Sequence, residues 1–146
     1  MTERTWMRIA LGYLAVLALQ IGIWAQFAPR SFYDGFPGLG RSWVSVDGPY
    51  NEHLVRDVGG LYLALGVLVV AAMVTLSRAL VATACLAVLA SGVPHAVYHV
   101  AHRDGLATGD LAVSLTGLVL AALIPAVLLA MLWRGDHPPV TGHSVT

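Results

Sequence analysis

His95, His99 and His102 stand four and three residues apart in the segment Pro94-His95-Ala96-Val97-Tyr98-His99-Val100-Ala101-His102, whose other residues are mostly apolar. Those steps keep side chains on one face of an α-helix. Ionisable groups near a bilayer are costly, so they turn toward protein or water and tend to mark function. Imidazole offers two kinds of chemistry there: it ligates transition metals, and it carries protons near neutral pH.

A second polar run, Asn51-Glu52-His53-Leu54-Val55-Arg56-Asp57, has helical spacing of its own. His53 and Asp57 are four apart, as are Glu52 and Arg56. Neutral imidazoles and carboxylates together suit zinc, copper or iron. The candidate metal ligands are therefore His95, His99, His53, Asp57, Glu52 and His102. The pattern is not that of a metalloprotease helix, because Ala96 stands where a Glu would follow the first His. Haem b fits less well. Its axial ligands must face each other at one depth, and the first and last apolar segments of the chain contain no histidine. Proton or small-ligand handling by the histidines, with Tyr98 and Tyr62 as hydrogen-bond donors, is a further reading. The structural alternative is that these groups pair with one another and with Arg56 or Arg103 to close the wet end of a bundle, as in a non-catalytic scaffold subunit. No Ser/His/Asp or Cys/His nucleophile arrangement is evident.

The elements that must position these groups follow from composition. Of 146 residues 58% are hydrophobic and 11% are charged, against roughly 25% charged in an ordinary soluble domain. Mean hydropathy is +0.75. An all-α integral membrane protein of one domain is expected, with the lipid bilayer as its main partner. Eight Arg, no Lys and eight acids leave no net charge and no basic tract for nucleic acid. The lone Cys85 lies in an apolar run and can form no disulfide within the chain.

Four segments can each cross a hydrocarbon core, which takes about 20 apolar residues: roughly 8–28, 57–77, 80–101 and 111–133. They define a four-helix transmembrane domain over 1–134, followed by a polar tail, 135–146, expected to be disordered and holding His137 and His143. The first segment is too long for a signal sequence and reads as a retained helix. The connection 29–56 is rich in Gly and Pro, and in aromatics (Phe32, Tyr33, Phe36, Trp43, Tyr50). It is expected to pack at the interface or cap the bundle. Pro94 and Pro125 are expected to kink their helices. Gln20, inside the first segment, is expected to make an interhelical hydrogen bond.

The short turn at Ser77-Arg78-Ala79 makes the second and third helices an antiparallel pair. Asp57 and His99 both lie 21 residues from Arg78, so a common rise per residue sets them at similar depth. All four helices bring polar groups to that one end. Arg4, Arg8, Arg78 and Arg134 lie at the other, which is expected to be cytoplasmic, with both termini.

This layout, with the run Pro49-Tyr50-Asn51-Glu52-His53-Leu54-Val55-Arg56-Asp57-Val58-Gly59-Gly60, resembles the small four-helix bacterial membrane proteins of the DoxX-like type. The resemblance is one of helix plan and carries over no functional residue. It implies a plasma-membrane component, accessory to a redox system or part of a membrane complex, or a homo-oligomer. The Ala/Val/Leu/Gly/Arg-rich composition without Lys is typical of high-GC bacteria, including actinobacteria.

Overall fold

The computed structural model describes residues 2–102 and 105–136. Among them the chain is helical and contains no strand. In chain order the helices are α1 (Glu3–Phe27), α2 (Pro29–Gly35), α3 (Glu52–Thr75), α4 (Arg78–Ala101) and α5 (Thr108–Asp136). Four of these, all but α2, are long and apolar enough to cross a membrane. The protein is a multi-pass, four-helix membrane bundle.

The ends of the helices have local causes. The Thr2 hydroxyl accepts from the Thr5 amide and starts α1. Asn51 Oδ1 accepts from the Leu54 amide at 3.1 Å and starts α3 at Glu52, five residues before the point where apolarity begins. The whole polar run 52–57 is therefore helical. Leu76, in the left-handed region at φ 50°, ends α3, and Ser77 stands at the N-cap position of α4 after it, without a side-chain capping bond. Pro29 sits at the first position of α2, where its missing N–H costs nothing. This seven-residue helix occupies part of what hydropathy alone reads as turn. Both α4 and α5 continue through Pro94 and Pro125. Gly135 and Asp136 extend α5, whereas the rest of the expected tail, with His137 and His143, lies outside the described residues, as do Arg103 and Asp104.

α1 and α3 form the closest pair. A Cβ added to Gly22 would stand 2.7 Å from the Leu63 amide nitrogen, and one on Gly66 2.6 Å from Leu19 Cδ2. One on Gly59 would stand 2.5 Å from the Gln26 amide nitrogen, and one on Gly12 3.4 Å from Met73 Sδ. In each of these four contacts the two residue numbers sum to 85. That constant sum is an antiparallel register held from one end of the pair to the other. Small residues permit it, because lipid tails give no hydrophobic push and the helices must gain by close packing.

Two clusters make the core. One lies toward the Arg78 end and draws on all four long helices: Leu11 and Leu14 of α1, Val69 and Ala72 of α3, Val81, Ala84 and Cys85 of α4, and Leu128 of α5. The other lies at the opposite end and is built from Ala25, Phe32 and Val55, with Trp24, Phe36, Val44 and Tyr50 against them. It includes nothing from α4 or α5. Among the described residues, α4 has no buried side chain beyond Val88, and α5 none before Pro125. The two hairpins are thus packed together at the Arg78 end and joined loosely at the other.

Candidate functional site

The loosely packed end carries the histidines. Its roof is the 29–51 connection, folded as an aromatic cap over α1 and α3. Trp24 meets Phe32 edge-on at 5.9 Å, Phe32 meets Phe36 at 4.9 Å, and Phe36 meets Trp43 edge-on at 6.1 Å between ring centroids. Edge-on and tilted contacts of this kind are favoured by ring quadrupoles. The Trp43 amide donates to the Phe36 carbonyl at 2.8 Å, which turns the chain back on itself. Tyr33 donates its hydroxyl proton to the Gly48 carbonyl at 2.5 Å. Arg30 lies over the Tyr33 and Tyr50 rings and bonds Asp34 at 2.7 Å, which raises the Arg30 guanidinium above its ordinary value. These contacts fold the loop against the ends of α1 and α3.

The cap also reaches the second hairpin. Arg41 forms an ion pair with Asp110 in the first turn of α5. A Cβ on Gly105 would stand 3.2 Å from Val46 Cβ. The Asp47 carboxylate is near enough to His95 to interact with it electrostatically. Neither Arg41 nor Asp47 is marked by the sequence pattern. They lie in a segment without periodicity, and only the folding of the cap brings them toward α4 and α5.

The six candidate ligands divide by partner. His53 Nε2 lies 3.3 Å from Asp57 Oδ2, and the Arg56 Nε bonds Glu52 Oε1 at 2.9 Å. These are the two i, i+4 pairs that spacing predicts. Arg56 goes further and donates to the Gln26 carbonyl of α1 at 2.5 Å, where it answers an orphan carbonyl of that helix's last turn. His102 Nδ1 lies 3.0 Å from the Tyr98 carbonyl of its own helix, and its ring stacks on Tyr98 at 4.2 Å. Each of these groups has a contact on its own helix, and among the described residues His53 Nδ1 and His102 Nε2 are left open.

His95 and His99 differ. Their rings meet edge-on, 4.6 Å between centroids, and His99 also touches Tyr98 edge-on at 5.5 Å. Among the described residues neither imidazole makes a hydrogen bond or an ion pair. His95 is exposed and His99 half-buried. Two adjacent imidazoles can clasp one metal ion, or offer one donor and one acceptor to a polar ligand.

Asp57 and His99, set level by counting from Arg78, each take a partner on their own helix. The reason is packing. α3 gives its close-contact face to α1, and the end of α4 that bears the histidines is not drawn into either core cluster. Among the described residues no group of three or more His, Cys, Asp and Glu side chains is arranged to hold a metal ion. Two surface hollows, about 240 and 260 Å³, lie at the opposite end, against Arg78 and Trp6 respectively. They are not part of the histidine site.

No protein-family model, curated protein or solved structure matches this chain.

Proposed function

We propose that this membrane protein binds a transition metal ion or a small polar ligand through His95 and His99, under the aromatic cap. One observation carries the proposal. Of the six candidate ligands, His95 and His99 alone leave both ring nitrogens without a protein partner among the described residues, while His53, Asp57, Glu52 and His102 each have a polar contact on their own helix. Unanswered imidazoles at a membrane boundary are costly. A ligand that takes them up would repay that cost. The two histidines supply half of a tetrahedral zinc or copper shell, and water, the ligand or a shifted Asp47 would supply the rest. Haem remains the weaker form, since among the described residues the one histidine on another helix, His53, contacts Asp57 and not the pair.

Orientation is part of the proposal. Arg4, Arg8, Arg78 and Arg134 flank the tightly packed end and favour a cytoplasmic placement of both termini, with the histidines on the outer side. A narrower form makes the protein an accessory of a redox system in a bacterial plasma membrane, and rests on its DoxX-like layout.

The test is metal content and visible spectrum of the full chain in mild detergent, with His95→Ala and His99→Ala beside it. Stoichiometric metal lost in both variants supports the site, and a Soret band points to haem. A folded, colourless protein that takes up neither metal nor ligand refutes the binding proposal and favours the scaffold reading. The bare loop-end halves of α4 and α5 supply the observation behind that second reading, because they leave an apolar surface to a partner or to lipid.

A further inference from the structure

The face of α1 turned away from the bundle is a continuous stripe with a polar residue inside it. Ile9, Tyr13, Val16, Gln20, Ile23 and Phe27 follow one another at steps of four, three, four, three and four. All six are exposed, the hydrophobic members from 39% for Tyr13 to 72% for Phe27. The buried residues of the same helix, Met7, Leu11, Leu14, Ala15, Ala18, Gly22 and Ala25, centre about 180° round the helix at 100° per residue. Among the described residues, the stripe therefore lies outside the bundle core. Its spacing is the 3.5-residue repeat of helices that wind around each other.

Gln20 identifies the occupant. It lies inside the apolar stretch of a membrane-spanning helix, is exposed, and makes no hydrogen bond among the described residues. A carboxamide facing hydrocarbon leaves two donors and an acceptor unanswered, and such side chains bond across helix interfaces. Among the described residues no helix covers this face. Copies of one chain insert with the same orientation, so a two-fold axis relating two of them runs along the membrane normal. It sets each residue opposite its equivalent at the same depth. A glutamine is self-complementary in that arrangement: each amide N–H donates to the other's carbonyl. A polar residue at one core position of a helical seam is also a known means of selecting register and partner number.

We propose that the protein forms a parallel homodimer through the Ile9–Phe27 stripe of α1, with Gln20 paired to Gln20 across the two-fold axis. The interface lies opposite the α3-facing side of α1 and uses none of the histidine residues. It stands or falls independently of the ligand-binding proposal.

The experiment uses the full chain in vesicles of phosphatidylcholine and phosphatidylglycerol, with energy transfer between labelled copies followed as lipid is added. The wild type is expected to dimerise reversibly. In Gln20→Leu the dissociation constant should rise roughly 3- to 30-fold, the range of interhelical hydrogen bonds in membranes, and Gln20→Asn should restore part of the loss. In a Cys85→Ala background, Val16→Cys and Ile23→Cys should crosslink between copies on oxidation. Val67→Cys on α3 and Val97→Cys on α4, both exposed, should not. A chain that is monomeric at every lipid ratio overturns the proposal. So does a dimer unchanged by Gln20→Leu, or crosslinking through α3 or α4 in place of α1.

Discussion

Gly59 of α3 lies directly against the backbone of Gln26 in α1, so closely that a Cβ at Gly59 would stand 2.5 Å from the Gln26 nitrogen. At the next position, a Cβ on Gly60 would meet nothing nearer than the end of the Gln26 side chain, at 3.8 Å. Adjacent glycines thus have opposite duties. Gly59→Ala must push two backbones apart and should destabilise by roughly 1–3 kcal/mol. Gly60→Ala should be neutral or stabilising, since it gains helix propensity of about 1 kcal/mol without a clash. Thermal unfolding in detergent separates the two, and equal losses would mean that the seam is looser than described.

Arg56 connects the same two helices by another route, from its guanidinium to the Gln26 carbonyl at 2.5 Å. Arg56→Met keeps most of the aliphatic stem but leaves that carbonyl without this partner. A loss of roughly 1–3 kcal/mol is expected. Glu52→Gln removes only the exposed surface partner of Arg56, and exposed pairs contribute about 0–1 kcal/mol. Chemical unfolding that gave Glu52→Gln the larger effect would show that the surface pair, and not the bond to α1, carries the contribution of Arg56.

The cap is joined to the second hairpin through Arg41 and Asp110. Asp110→Asn should loosen the 36–50 loop without unfolding the bundle. Faster amide exchange or proteolysis confined to that loop, with the α1–α3 seam unchanged, is the expected result. Uniform protection would show that the Val46–Gly105 contact alone holds the cap.

Trp43 has a buried indole N–H with no hydrogen-bond partner among the described residues. Trp43→Phe removes that unanswered donor and keeps an aromatic ring against Phe36. It should cost less than Phe36→Ala, for which a loss of about 3–5 kcal/mol is typical of a packed aromatic. Comparable losses would show that the Trp43 N–H has a partner in solution.

Within the candidate site, His102→Ala should weaken metal binding less than loss of His95 or His99, because one of its ring nitrogens already pairs with its own helix carbonyl. His95→Ala and His99→Ala should each abolish it. Affinity should fall as pH drops, since imidazole ligates only in its neutral form. Isothermal titration with zinc across pH 5–8 reads both effects, and a pH-independent affinity would exclude the histidines as ligands.

Much of this protein was determined by local sequence. Hydropathy and length mark the four spans, because lipid requires backbone groups to be satisfied within each helix. Spacing alone pairs His53 with Asp57, Glu52 with Arg56 and His95 with His99, because i, i+4 neighbours meet wherever a helix forms. The start of α3 at Glu52 was not read from apolarity, which places it near 57; the Asn51 side chain sets it by bonding the Leu54 amide. Three things were decided only by the tertiary structure. The glycines of α3 could have served α1 or α4, and the register summing to 85 assigns them to α1. That choice leaves the histidine end of α4 outside the core, so equal depth does not bring Asp57 to His99. Gln20 reads as an interhelical bond in sequence, yet among the described residues no helix covers its face. Each of these depends on which helices lie side by side, and the apolar, small-residue faces of a membrane bundle fit several neighbours almost equally well.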